Sequence, residues 1–68
     1  MAEGLRNEIR AAREAMGWTQ AELAERMGVS RKTVNTVENG VFIPSTVVAL
    51  KAARALGRSV EDLFKLAD

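Results

Sequence analysis

Only Gly28 and Val29 separate Met27 from Ser30, and this two-residue connection constrains the chain more than any other feature. On its upstream side Leu23, Ala24 and Met27 recur at helical spacing and turn inward, leaving Glu22, Glu25 and Arg26 to solvent. On its downstream side Ser30 offers a hydroxyl as a helix N-cap, and Val29 can staple onto Val34. Two helices joined by so short a glycine turn must cross steeply, so a tight helix pair occupies the middle of the chain.

The same punctuation recurs on either side of it. Leu5, Ile9, Ala12 and Met16 lie on one stripe of a first helix, with Arg6, Arg10, Arg13 and Glu14 elsewhere, and Gly17 closes that helix as a left-handed cap. Thr19 and Glu22 form a capping box for the second helix, where Trp18 can pack on Leu23. Pro44 and Ser45 open a fourth helix whose buried stripe is Val48, Ala49, Leu50, Ala53 and Leu56, and Gly57 ends it. Ser59 and Asp62 open a short fifth helix with Val60, Leu63, Phe64 and Ala67 on one face. No period-two apolar alternation and no internal repeat interrupts the sequence, which predicts an all-α fold, a compact five-helix bundle. Residues 5–68 form one domain behind a short tail, residues 1–4. At 68 residues such a domain buries only about 60% of its unfolded surface.

Histidine, cysteine and tyrosine are all absent, which removes the usual metal ligands, the commonest general base and the thiol nucleophile. The expectation is a protein that is not an enzyme and takes no metal and no cofactor. A composition of 47% hydrophobic and 28% charged residues suits a packed soluble chain. No apolar run approaches the roughly 18 to 20 residues that span a bilayer, and Met1-Ala2-Glu3-Gly4 lacks the basic and apolar regions of a signal peptide. A cytoplasmic protein with no membrane partner is expected.

The net charge of +1 conceals an uneven distribution. Residues 1–25 carry three bases against five acids, whereas residues 26–60 carry six bases, Arg26, Arg31, Lys32, Lys51, Arg54 and Arg58, against Glu38 alone. The remaining tail, Lys65 with Glu61, Asp62 and Asp68, is acidic again. A basic middle in a nearly neutral chain suits a localised anionic partner.

The third helix carries that partner's candidate site. With Arg31 set at zero and about 100° per residue, Asn35, Asn39, Lys32 and Thr36 fall at about 40°, 80°, 100° and 140°, while Val37 and Val34 fall at about 240° and 300°. A narrow apolar anchor thus opposes a broad polar face, which is either an ordinary solvated surface or a reading surface. Arg31 and Lys32 in the first turn oppose the helix macrodipole by a few tenths of a kcal/mol, a penalty that an anionic partner reverses. Arginine and lysine donate to guanine edges, asparagine pairs in two places with adenine, and threonine offers a hydroxyl or a methyl to thymine. Gln20 opens the second helix, where its amide can reach a phosphate and steady the recognition side chains.

The run Thr19-Gln20-x-Glu22-Leu23-Ala24-x-x-Met27-Gly28-Val29-Ser30-x-x-Thr33-Val34-x-x-Val37-Glu38-Asn39-Gly40, followed by Pro44-Ser45 and Leu50, closely resembles the XRE, or Cro/repressor-type, helix-turn-helix family of transcriptional regulators. The resemblance covers roughly residues 5–66 and is nearest to short stand-alone members similar to the cytolysin repressor. It implies a lambda-repressor-like DNA-binding domain. In it Gln20 and Asn39 meet phosphates, and Ser30, Arg31, Lys32, Asn35 and Thr36 face the major groove. Arg13 and Glu38 match positions that pair in this family, which assigns Glu38 to the fold despite its place in the basic segment. Lys51 and Arg54 are further phosphate candidates.

Ala12 and Ala52 stand where the family usually has larger aliphatics, so core volume must come from elsewhere, Trp18 or Met16 being the candidates. Val41, Phe42 and Ile43 replace a commonly polar loop, and Val47 lies with Lys51 and Arg54 on the outer face of the fourth helix. Two readings of the loop are open: Phe42 folds inward to fill the space left by Ala52, or the run is part of a dimer contact. Phe64 and Leu66, with Leu63, form a second dimer candidate, because Leu66 lies off the stripe of the fifth helix.

The expected function is that of a prokaryotic or phage repressor, a homodimer that binds a double-stranded DNA operator with its third helix in the major groove. The two recognition helices of such a dimer reach half-sites about 34 to 36 Å apart, so the operator is expected to be an inverted repeat. The alternative is an antitoxin-like module that holds a protein partner through Val41-Phe42-Ile43 and uses DNA only for autoregulation.

Overall fold

A computed structural model describes residues 4–41 and 43–66. The order of elements is β1 (Leu5–Asn7), α1 (Ile9–Ala15), α2 (Gln20–Met27), α3 (Arg31–Glu38), α4 (Thr46–Leu56), α5 (Val60–Leu63) and β2 (Phe64–Leu66). The five expected helices are present. Among the described residues no helix is long and apolar enough to cross a membrane.

Each of the last four helices starts on a hydroxyl that accepts from the backbone N–H three residues on. Thr19 caps Glu22 and receives the Glu22 carboxylate in return, Ser30 caps Thr33, Ser45 caps Val48 and Ser59 caps Asp62, each hydroxyl lying 3.1 Å from the nitrogen it caps. The turn between α2 and α3 is made by Gly28 in the left-handed region, φ 74°, where a side chain costs about 1 kcal/mol or more. Gly28-Val29 is the turn that joins α2 to α3.

Ile9, Leu23, Val34 and Leu63 are fully buried at the centre, one from each of four helices, with Met27, Val37 and Leu56 packed around them. Ala12 and Ala52 are also fully buried, and Trp18 and Val29 lean half-buried against the cluster. Two residues placed inward by the sequence stripe lie outside it. Met16 is 48% exposed because it caps α1, where the chain already turns away at Gly17. Leu50 is 56% exposed because the buried arc of α4 is centred between Ala52, Ala53 and Leu56, and Leu50 falls about 110° round the helix from that centre. Phe42 and Ala67 lie outside the described residues.

A larger correction concerns the two ends of the bundle, where a helix beginning at Leu5 and a fifth helix running on to Ala67 were expected. Leu5–Asn7 and Phe64–Leu66 instead form an antiparallel two-stranded ribbon, Leu5 opposite Leu66, Arg6 opposite Lys65 and Asn7 opposite Phe64. Asn7 explains the late start of α1: its Oδ1 accepts from Ile9 N at 3.1 Å while its Nδ2 donates to the Val37 carbonyl at 2.9 Å, so the helix begins behind a side chain anchored on α3. The early end of α5 follows from Glu8 N donating to the Leu63 carbonyl at 2.7 Å, which takes an acceptor a longer helix would use.

Candidate nucleic-acid interface

Val34 and Val37 moor α3 to the core, and the opposite side of the helix carries the polar residues. Arg31 and Lys32 are exposed in a first turn that contains no acid. Two cationic side chains therefore stand at the positive end of a helix dipole with nothing anionic in the turn to offset them.

The hydroxyls on this face are engaged locally. Ser30 Oγ accepts from Thr33 N and lies 3.0 Å from Thr33 Oγ1, so it serves the cap. Thr36 Oγ1 donates to the carbonyls of Lys32 and Thr33, both at 3.0 Å. With its proton held by its own helix, Thr36 has its methyl group and an oxygen lone pair left for a partner.

Behind the face lies a chain of hydrogen bonds that begins at a buried carboxylate. Glu38, 1% exposed at its side chain, accepts from Arg13 Nε at 2.6 Å on Oε2 and from Arg13 Nη2 at 3.2 Å on Oε1. Arg13 Nη1 donates to the Trp18 carbonyl at 2.8 Å, and the hydrogen bond to Glu38 raises its guanidinium above the ordinary value, so it stays charged at any working pH. Gln20 Nε2 donates to Glu38 Oε1 at 3.0 Å, Asn35 Nδ2 donates to Gln20 Oε1 at 3.4 Å, and Asn39 Nδ2 donates to Asn35 Oδ1 at 3.3 Å. Among the described residues no buried side-chain nitrogen or oxygen lacks a partner.

Comparison with known proteins identifies the family of the fold. A helix-turn-helix family model matches residues 9–63, from the first residue of α1 to the last of α5. The chain belongs to the XRE-type helix-turn-helix family. It is 49% identical over 63 residues to an uncharacterized HTH-type transcriptional regulator of Methanothermobacter thermautotrophicus, covering 91% of each chain. It is 37% identical over 62 residues to the HTH-type transcriptional regulator YgzD of Bacillus subtilis, covering 91% of this chain and 94% of that one. Among solved structures it is similar to the restriction-modification controller protein C.AhdI of Aeromonas hydrophila, with a TM-score of 0.77 and 36% identity over 81% of this chain and 83% of that one.

Within this helix-turn-helix fold the candidate residues separate into two groups. Ser30, Arg31, Lys32, Asn35, Thr36 and Asn39 share α3 and its caps, with Gln20 and the Arg13–Glu38 pair directly behind them. Lys51 and Arg54 instead line a shallow groove on α4 together with Val47 and Leu50. That groove adjoins an apolar one of about 300 Å³ bordered by Leu5, Ile43, Leu50 and Phe64, and Leu50 belongs to both. Val41, Ile43, Val47 and Leu66 are all more than half exposed, whereas Phe64 is half-buried against the core.

Two basic residues change their meaning in three dimensions. Arg26, counted in the basic middle, lies over the Trp18 ring at 4.2 Å and is occupied by a cation–π contact on α2. Arg10, counted in the acidic first third, has its Nε 3.8 Å from Glu38 Oε1 and remains 63% exposed at its side chain, next to the Glu38 end of the hydrogen-bond chain. Charge summed along a sequence window hid Arg10, since the count groups it with the acids of the first third and not with α3, against which it lies. The helical spacing of Arg10 and Arg13, three residues apart on α1, was the available signal.

Proposed function

We propose that this protein is a sequence-specific repressor that binds double-stranded DNA as a homodimer, with α3 in the major groove of each half of an inverted-repeat operator. The observation that carries the reading is the first turn of α3: Arg31 and Lys32 exposed together, with no acid in the turn, on a helix whose other side is buried. Arg31 and Lys32 donate to guanine edges, Asn35 reads adenine and the Thr36 methyl meets thymine, while Ser30 sits at the rim as the cap. Asn39, Gln20 and the exposed Arg10 hold phosphates and set the register.

The homodimer is proposed to form through the apolar surface of Ile43, Val47 and Leu50, which line two grooves that share Leu50, with the exposed Val41 and Leu66 as further candidates. Lys51 and Arg54 border it, and that grouping favours a place at the rim of the subunit contact over a phosphate contact. Residues 5–68 act as one domain, and its substrate places the protein in the cytoplasm.

Selection of bound duplexes from a random pool tests this reading. The expected product is an inverted repeat with half-site centres about 34 to 36 Å apart. A pool that binds without enriching any sequence would remove the proposed specificity, and enrichment of a single unrepeated half-site would remove the dimer.

A further inference from the structure

Thr36 has no side-chain donor left for a partner. Its Oγ1 lies 3.0 Å from the Lys32 carbonyl and 3.0 Å from the Thr33 carbonyl, and the single hydroxyl proton is spent between them. Turning that proton toward a base would exchange one hydrogen bond for another and gain little. The hydroxyls of Ser30 and Thr33 are likewise engaged, 3.0 Å from each other at the N-cap. What the half-buried Thr36 presents is therefore a methyl group beside an acceptor oxygen.

The pyrimidines differ at the same two points in the major groove. Thymine carries the O4 acceptor beside its C5-methyl, and cytosine carries the N4 amino donor beside a bare C5. Against thymine, Thr36 gains a methyl contact but sets one acceptor oxygen toward another. Against cytosine, it accepts from N4 and leaves its methyl without a partner. Cytosine methylated at C5 satisfies both groups at once: the amino group donates to Oγ1, and the two methyl groups bury each other from water.

Resting on the reading of α3 as the base-reading helix, we propose that Thr36 recognises a C5-methylated pyrimidine and takes 5-methylcytosine in preference to thymine. Thymine supplies the methyl group in unmodified DNA. Where cytosine stands at the Thr36 position, its methylation tightens binding, so occupancy of the operator responds to the methylation state of the site.

Four duplexes built on the selected operator test this. They differ only in carrying thymine, uracil, cytosine or 5-methylcytosine, each with its matching purine, at the half-site position whose preference changes in Thr36→Ala. The full chain, Thr36→Val and Thr36→Ser are titrated against each. Wild type is expected to prefer thymine to uracil and 5-methylcytosine to cytosine, each by about fourfold per half-site, the worth of one buried methyl. Thr36→Val keeps a methyl and loses the oxygen, so both methyl preferences should survive in it. Thr36→Ser should lose both. Because the opposite purine changes with the amino group, the ratio of 5-methylcytosine to thymine affinity is compared between proteins, and it should be higher in wild type than in Thr36→Val. Equal binding of cytosine and 5-methylcytosine by wild type overturns the proposal, as does a ratio no higher than that of Thr36→Val, or a Thr36→Ala variant that changes no position. In those cases a preference retained at the Arg31 step shows that α3 still reads bases, whereas loss of every base preference removes that reading and the proposal with it.

Discussion

Arg13 and Gln20 donate to the same oxygen, Oε1 of Glu38, from Nη2 at 3.2 Å and from Nε2 at 3.0 Å. One comes from α1 and the other from the first residue of α2, and the acceptor is the last residue of α3. The ion pair that ties the three helices together is thereby also the origin of the hydrogen bonds that run onto the polar face.

Breaking this pair from one side is expected to be severe. Arg13→Ala takes the close counter-charge from a carboxylate that is 1% exposed and leaves it the Gln20 hydrogen bond and the more distant Arg10, a change that costs up to about 3 to 5 kcal/mol. At roughly 0.05 to 0.15 kcal/mol per residue, that is a large part of the stability of so small a domain. Urea unfolding should show the loss, and the paired change Arg13→Met with Glu38→Leu should recover much of it.

Replacement of Arg31 by alanine is expected to cost about 1 to 3 kcal/mol on the selected operator and to relax preference at one base step. Fold stability should hold or rise by a few tenths of a kcal/mol, since the exposed Arg31 side chain makes no hydrogen bond among the described residues and opposes the helix dipole. Binding titrations in which both Arg31→Ala and Asn35→Ala match the wild type would take α3 out of the groove.

Salt dependence separates the basic residues that touch DNA from those that do not. Arg10→Ala should lower the slope of log K against log salt by about 0.9, the contribution of one phosphate contact. Arg26→Ala should leave that slope unchanged and instead cost about 0.5 to 1 kcal/mol of stability, because its guanidinium lies on Trp18. Equal slopes for Arg10→Ala and wild type would return Arg10 to the fold alone.

Leu50→Glu is expected to yield a folded monomer. The residue is 56% exposed, so the helix tolerates the charge, whereas an apolar contact between two copies would not. Sedimentation with unchanged circular dichroism checks this, and an intact dimer would move the contact elsewhere.

The capping box of α2 gives a pH dependence of known sign. The hydrogen bond from the Thr19 backbone N–H, followed by that of its side chain, holds Glu22 below its ordinary value of 4.5. A depressed folded-state value favours the folded state above the unfolded pKa, and the benefit is lost as pH falls through the folded one. The stability difference between wild type and Glu22→Ala should therefore be full at neutral pH and shrink below about pH 4.5. A difference that stays constant down to pH 3 would show that the charge is not what the cap uses.

The helix-turn-helix was legible because its signals are local. Thr19, Gly28, Ser30 and the valines around them act within one or two turns, and each does its expected work. The ribbon was not legible, since three residues are too few to establish an alternation and the partner of Leu5 lies at the other end of the chain. The position of Leu66 off the helix-five stripe was its one trace. Leu50 was misplaced for a different reason: Ala52 and Ala53 are small, and a stripe drawn through the larger side chains passed beside the true buried arc. The face of α3 was visible as chemistry but not as wiring, because hydrogen bonds from Gln20 to Asn35 and Glu38 join residues far apart in sequence.

The ribbon also bears on folding. Leu5–Asn7 have no strand to pair with until Phe64–Leu66 have been made, so this pairing closes a loop that spans the whole domain and carries a larger entropy cost than the local helix caps. Asn7 links that pairing to α3, because its amide reaches the Val37 carbonyl from the strand the ribbon holds. The end of α3 is therefore anchored by a strand whose own partner lies at the far end of the domain.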